Sequence, residues 1–132
     1  MILSYKGRRA KKGDRVAVYR NIRGSGFDTW SVKARSGKYA GLVVGHADEL
    51  LLRDATFTVS EAGRARVLAT GRKNVHAFGV GRLGDDGETI PFADTRVHYN
   101  PFKNAEFVDD TGEPVELVRK AFFDANGRVW AS

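Results

Sequence analysis

Val16-Ala17-Val18-Tyr19-Arg20-Asn21-Ile22, Gly24-Ser25-Gly26 and Phe27-Asp28-Thr29-Trp30-Ser31-Val32-Lys33-Ala34 decide how this chain folds. In the first run Val16, Val18 and Ile22 alternate with Ala17, Tyr19 and Asn21, the period of two expected of a half-buried strand, and Arg20 falls on the valine side. The third run puts Trp30, Val32 and Ala34 on one face and Phe27, Thr29 and Ser31 on the other. The glycines between them supply the reversal, so the two runs read as an antiparallel hairpin.

The same alternation continues outward. Ser36-Gly37 is the next turn; residues 39–46 and 50–52 are apolar runs around an Asp48-Glu49 break, and Ala55, Phe57 and Val59 then alternate with Thr56 and Thr58. These make strands three and four. One segment instead has helical spacing: Ser60 suits an N-cap, Glu61 the positive end of the dipole, and Gly71 a C-terminal stop. Ala62, Ala65, Leu68 and Ala69 predict the stripe that packs on the sheet, with Arg64 and Arg66 outside. In residues 74–83, His76, Phe78, Val80 and Arg82 share one face while Val75, Ala77, Gly79, Gly81 and Leu83 share the other. Alternate glycines predict close approach by another element or a strongly bent strand. A further strand is expected at 95–100, ended by Asn100-Pro101. Hairpins follow around Asp110-Thr111-Gly112 and around Asp124-Ala125-Asn126-Gly127, whose Asn-Gly is a strong turn signal.

The expected fold is therefore α+β and mostly β: an antiparallel sheet of about six or more strands and hairpins, with one short helix at about 61–70 packed on it. Composition agrees. The chain has 132 residues, 42% hydrophobic and 29% charged, enough for one domain with its own core and too balanced for a disordered chain. No apolar run approaches the roughly 20 residues that span a bilayer. The opening Met1-Ile2-Leu3-Ser4-Tyr5 is too short for a secretory signal, so no membrane partner and a cytoplasmic location are expected. The absence of cysteine excludes disulfides, thiolate nucleophiles and cysteine-based zinc sites.

Charge is distributed unevenly. Residues 1–82 carry 17 Lys and Arg against 6 Asp and Glu, and residues 83–132 carry 5 against 10. Lys6, Arg8, Arg9, Lys11, Lys12 and Arg15 crowd around a single Asp14, which predicts either a solvated basic arm at 1–14, ahead of a single domain at 15–132, or a phosphate-facing surface. The opposite sign of the last third allows one subunit's acidic surface to meet another's basic one, so a homo-oligomer, dimer or higher, is expected.

Little in the sequence points to chemistry. His46, His76 and His98 stand in no metal-binding spacing, and no metal or cofactor is expected. Neither a G-x-S-x-G elbow nor a phosphate loop is present, and the Asp85-Asp86 and Asp109-Asp110 pairs sit beside turn glycines, where Asp caps the turn. A metal-free ribonuclease could be assembled from His76 and His98 as base and acid with Lys73 or Arg82 as phosphate clamp. The plainer reading makes both histidines half-buried strand residues with satisfied hydrogen bonds, and no catalytic residue is assigned.

A binding site is better supported. Arg72, Lys73, Asn74 and His76 in one run, and Arg96, His98, Asn100 and Phe102 in another, mix cations, an amide, an imidazole and an aromatic ring within a few residues. Cations hold phosphate, an Asn amide reads a base edge in two directions, and a ring offers a stacking face. Arg82 extends the first group, and Arg20, Trp30 and Arg128 would supply a second wall if the terminal hairpins meet there. Tyr99 is a second ring, although it also suits the core; Phe102, behind Pro101, is the ring most plausibly free.

The runs Arg-Lys-Asn-Val-His-Ala-Phe at 72–78 and Val-His-Tyr-Asn-Pro-Phe-Lys at 97–103, with Gly-Arg-Val-Trp-Ala at 127–131, resemble a recurring type of small phage-encoded protein. In size and strand-rich layout, over most of residues 15–131, the chain also resembles the Thoeris anti-defence sponge proteins. That resemblance implies sequestration of a cyclic ADP-ribose signal without degradation, and assembly through dimers. It carries no functional residue across. The function expected is non-enzymatic capture of a small phosphate-bearing nucleotide, of cyclic ADP-ribose type or a cyclic oligonucleotide. The alternatives are a nucleic-acid-binding module using residues 6–23, or the ribonuclease.

Overall fold

Among the described residues, nine strands and one helix follow in the order β1 (Ile2–Ser4), β2 (Arg15–Arg20), β3 (Trp30–Ala34), β4 (Val43–Ala47), β5 (Leu50–Val59), α1 (Glu61–Thr70), β6 (Ala77–Leu83), β7 (Thr95–Val97), β8 (Leu117–Phe123) and β9 (Val129–Ala131). The computed structural model describes residues 2–22, 29–90 and 95–132; the expected turn at Gly24-Ser25-Gly26 and the strand start at Phe27 lie outside the described residues. All nine strands join one sheet, ordered β1-β4-β3-β2-β6-β5-β8-β9-β7, and every pair is antiparallel.

The β2–β3 hairpin forms as expected, with Val16 against Ala34 and Val18 against Val32, and its apolar face enters the core. Trp30, Val32, Leu52, Ala121 and Phe123 bury together on that side. The sheet must curl to make this core. The Trp30 indole N–H, on β3, donates to the Asp124 carbonyl beyond β8 at 2.8 Å. Three strands lie between β3 and β8, which would hold them about 19 Å apart on a flat sheet. Trp30 and Phe123 also meet edge to face at 5.1 Å.

Much of that curvature is made at β5 and β6. Residues 50–59 form a single ten-residue strand through both expected runs, with a bulge between Arg53 and Thr56 where Asp54 takes a φ of +49°. The bare backbone of β6 permits the close approach. A Cβ at Gly81 would sit 2.7 Å from the Arg53 carbonyl oxygen, and one at Gly79 would sit 2.8 Å from the Phe123 ring. The alternate glycines thus make room for neighbouring elements.

Three expectations are corrected. Strand β4 covers only Val43–Ala47, because the chain before it turns at Gly41, whose φ of +84° is left-handed turn backbone. The strand expected at 95–100 is Thr95–Val97, after which His98 bridges Val108. Helix α1 has the expected limits, with the Ser60 hydroxyl accepting the Gly63 N–H and Gly71 closing it at a φ of +70°, but its expected face is inverted. Gly63 and Val67 are buried while Ala62, Ala65, Leu68 and Ala69 are exposed. The reason is distance: a Cβ at Gly63 would lie 2.4 Å from His76 Cβ, so the helix seats itself through a residue with no side chain.

Of residues 1–14, expected as an arm ahead of the domain, residues 2–14 run along it. Strand β1 pairs with β4, Arg8 donates to the Val43 carbonyl at 3.0 Å, and the Gly13 N–H donates to Leu83. Each contact gives the segment a backbone partner that a solvated arm would lack.

The β8–β9 turn is held by Asp124. Its carboxylate accepts the Asn126 and Arg128 N–H groups and the Trp130 indole N–H, each at 2.9 Å. Burial alone would raise this carboxyl, and the bonds from Trp130, Arg128 and Asn126 more than offset it, so its pKa lies below the ordinary value. A depressed folded pKa stabilises above the unfolded value of about 3.9 and is lost as pH falls through the folded one. Asp124→Asn, which must turn a donor toward a donor, is expected to cost about 2 kcal/mol at pH 7. In urea titrations at pH 7, 4 and 2.5, the gap between the variant and the natural chain should narrow toward the lowest pH.

Candidate functional site

A cavity of about 820 Å³ opens where β2 and β6 end, between the helix terminus, residues 96–104 and the β8–β9 turn. That size is in the range of small-molecule sites. Of the twelve residues expected at a site, Arg20, Trp30, Lys73, Asn74, His76, Arg96, His98, Asn100, Phe102 and Arg128 line it. Arg72 and Arg82 do not. Arg72 follows the helix stop in solvent, and Arg82 projects from the other face of β6, where it reaches the Gly13 carbonyl at 3.4 Å.

The local folds explain the convergence. The Asn100 side chain accepts the Phe102 N–H and the Asn104 side chain accepts the Asn100 N–H, a pair of turns that leaves Phe102 63% exposed on the cavity rim. From the helix, Arg64 Nε donates to the Pro101 carbonyl at 3.0 Å and ties this loop to α1. Arg20 donates to the Gly127 carbonyl at 2.9 Å with its guanidinium 5.7 Å from the Trp30 ring centre, so the first hairpin and the last do meet here.

Not every lining residue offers its polar atoms. Asn74 gives its amide N–H to the Gly63 carbonyl at 3.0 Å, which turns its Oδ1 toward His76 Nδ1 at 2.8 Å. His76 Nδ1 therefore carries the proton and donates, and Nε2 accepts from the Tyr99 hydroxyl at 2.7 Å. Burial raises the Tyr99 pKa, against a smaller opposite pull from Arg64, which keeps this hydroxyl a donor at neutral pH. Behind the network run stacked rings, Tyr99 on Phe107 and Phe107 on Phe57, each at 5.0 Å. Asn74, His76 and Tyr99 thus form a braced wall with their hydrogen-bonding capacity spent inside the protein. Tyr99→Phe, which leaves His76 Nε2 buried without a donor, is expected to lower stability by about 1–3 kcal/mol, read from chemical denaturation midpoints.

The cations are different. Arg20, Lys73, Arg96, Lys103 and Arg128 all line the cavity, and no Asp or Glu does among the described residues. Behind the wall, Asp110 lies 2.5 Å from His98 Nε2, and the Asp124 carboxylate interacts with the Arg128 charge. Arg96 Nε is buried and donates to no acceptor among the described residues. Such a buried N–H is costly to leave unpaired, and an anion in the cavity would satisfy it. Lys103 was missed as a site residue although it closes the quoted run at 97–103. Ile22 and Val75, each 45% exposed on the rim, were missed because no periodicity marks a residue that borders a hole. Among the described residues no group of acidic or histidine side chains is arranged to hold a metal ion. No helix among them is long and apolar enough to cross a membrane.

Fold and site together define a small protein of one curled antiparallel sheet, with a cavity walled by arginine and lysine and by no carboxylate among the described residues. The chain belongs to the phage family described as the Mycobacterium phage L5 gene 82 protein, whose model matches residues 9–131. It is 35% identical to the Gene 82 protein of Mycobacterium phage L5 over 99 residues, covering 71% of this chain and 76% of that protein. No solved structure matches it.

Proposed function

We propose that this protein captures a small phosphate-bearing nucleotide in the cavity and holds it without chemical change. The observation that carries the reading is the lining: Arg20, Lys73, Arg96, Lys103 and Arg128 around one cavity with no carboxylate among its described residues. Positive charge concentrated with no carboxylate in that lining stabilises a multiply charged anion, and Arg96 Nε, which has no acceptor among the described residues, provides a fixed donor for a phosphate oxygen. Phe102 supplies an exposed ring for a base, with Ile22 and Val75 as apolar rim. Occupied nitrogens on His76 favour binding over catalysis, since a general base needs a free lone pair within reach of substrate.

Membership of a phage family gives such capture a purpose in the host cytoplasm, the removal of a signal nucleotide raised against infection. Cyclic ADP-ribose is the version the resemblance to Thoeris sponges implies. A dimer would bring the exposed apolar rim of one copy near the charged wall of another. The test is to incubate the protein with cyclic ADP-ribose, remove free ligand by filtration, heat, and analyse what is released. Intact ligand in stoichiometric amount is expected. A cleaved product would replace this reading with an enzymatic one. If nothing is retained from cyclic ADP-ribose, a cyclic dinucleotide or ADP, nucleotide capture fails.

A further inference from the structure

On the sheet face turned away from the core, strand register lines cations into a row. Arg15 lies directly opposite Arg82, Arg82 opposite Arg53, and Arg53 opposite Lys120. Arg35, one residue past the end of β3, continues the row, its N–H donating to the Arg15 carbonyl at 2.9 Å. The row crosses four adjacent strands and reaches the end of a fifth, about 19 Å at the ordinary strand spacing. Like charges set directly opposite one another oppose folding, so sheet stability gives no reason for the arrangement.

One end is neutralised within the protein and the other is open. Glu88 takes Arg53 at 2.6 Å and Lys120 at 3.4 Å. Arg15, Arg35 and Arg82 are exposed, and none forms an ion pair with a carboxylate among the described residues. The neighbouring Asp14 accepts the Lys11 N–H instead. Beside the row, buried Ala17 and Val80 make a low floor. Beyond them lie the half-buried rings of Tyr19 and Phe78, at the rim of the cavity, with Lys33 5.8 Å from the first and Arg35 5.9 Å from the second.

We propose that this face binds single-stranded nucleic acid, its backbone laid across the strands on Arg35, Arg15 and Arg82, with bases reaching the Tyr19 and Phe78 rings. A row of uncompensated guanidinium groups matches a chain of regularly spaced phosphates, and stacking rings are open only to unpaired bases. The surface meets the nucleotide site at the Tyr19 and Phe78 rings but uses different cations. Arg15, Arg35 and Arg82 do not line the cavity, and Arg15 stands five strand residues, about 17 Å, from Arg20.

The experiment is fluorescence anisotropy of a labelled 20-nucleotide single-stranded oligonucleotide at 50 and 200 mM salt. It uses the natural chain and an Arg15→Ser/Arg82→Ser double variant whose fold is checked by thermal melting. With three phosphates contacted, affinity should fall roughly 20-fold between the two salts. Removing two contacts should reduce that fall to about threefold and weaken binding at both salts. Arg96→Gln, on the cavity wall, should leave oligonucleotide binding as it is, which separates this surface from the nucleotide reading. The proposal is overturned if the oligonucleotide does not bind at 50 mM salt, or if the folded double variant binds as tightly as the natural chain. It is also overturned if duplex of the same length competes better than single strand, or if only an acidic protein competes.

Discussion

Phe123→Ala lowers the stability of this protein by about 3–5 kcal/mol in urea denaturation, a large share of the roughly 5–15 kcal/mol that holds a domain together. Phe123 is 2% exposed and sits where the curled sheet closes. Its ring meets Trp30 edge to face at 5.1 Å and fills the space that a Cβ on Gly79 would take. Truncation removes the ring's apolar burial and opens a cavity that the surrounding strands cannot collapse into, because the Trp30–Asp124 hydrogen bond fixes their separation. The loss should show in the denaturation midpoint, and Phe123→Leu should recover more than half of it. A cost below about 1 kcal/mol would mean that the ring does not close the sheet.

Arg96→Gln produces two effects of opposite sense. Binding of cyclic ADP-ribose, measured by calorimetry, falls at least about 30-fold, the equivalent of roughly 2 kcal/mol for a charge-assisted hydrogen bond to phosphate. Stability without nucleotide stays level or rises, because the change removes a buried Nε–H that has no acceptor among the described residues. A merely structural arginine would behave otherwise and lose stability on substitution. Unchanged affinity in the variant would remove Arg96 from the site and with it the strongest argument for an anionic guest.

What could be read along the chain was whatever local rules decide. The β2–β3 hairpin, the limits of α1 at Ser60 and Gly71, and the last hairpin at Asn126-Gly127 follow from alternation, capping and turn chemistry acting within a few residues. The face of α1 did not follow. Leu68 and three alanines outscore Gly63 on any hydrophobic pattern, yet the small separation between helix and His76 admits only the glycine. Periodicity measures how apolar a face is, whereas seating depends also on how closely it must approach.

The site shows the same division. Residue types sufficed to bring Arg96, Phe102, Arg20 and Arg128 forward, since cations, amides and rings clustered in sequence are the chemistry of nucleotide recognition. Which polar atoms remain free was decided by tertiary partners. Asn74 and His76 spend theirs on Gly63 and Tyr99, and Arg82 was carried to the opposite face by the pleat of β6. Sequence alone determined the strands, the helix ends and the cationic character of this protein, because those depend on neighbours in the chain. Only the curl of the sheet decided the rest, because it brings residues far apart in sequence, such as Arg20 and Gly127, to one wall and buries Arg96 Nε with no acceptor among the described residues.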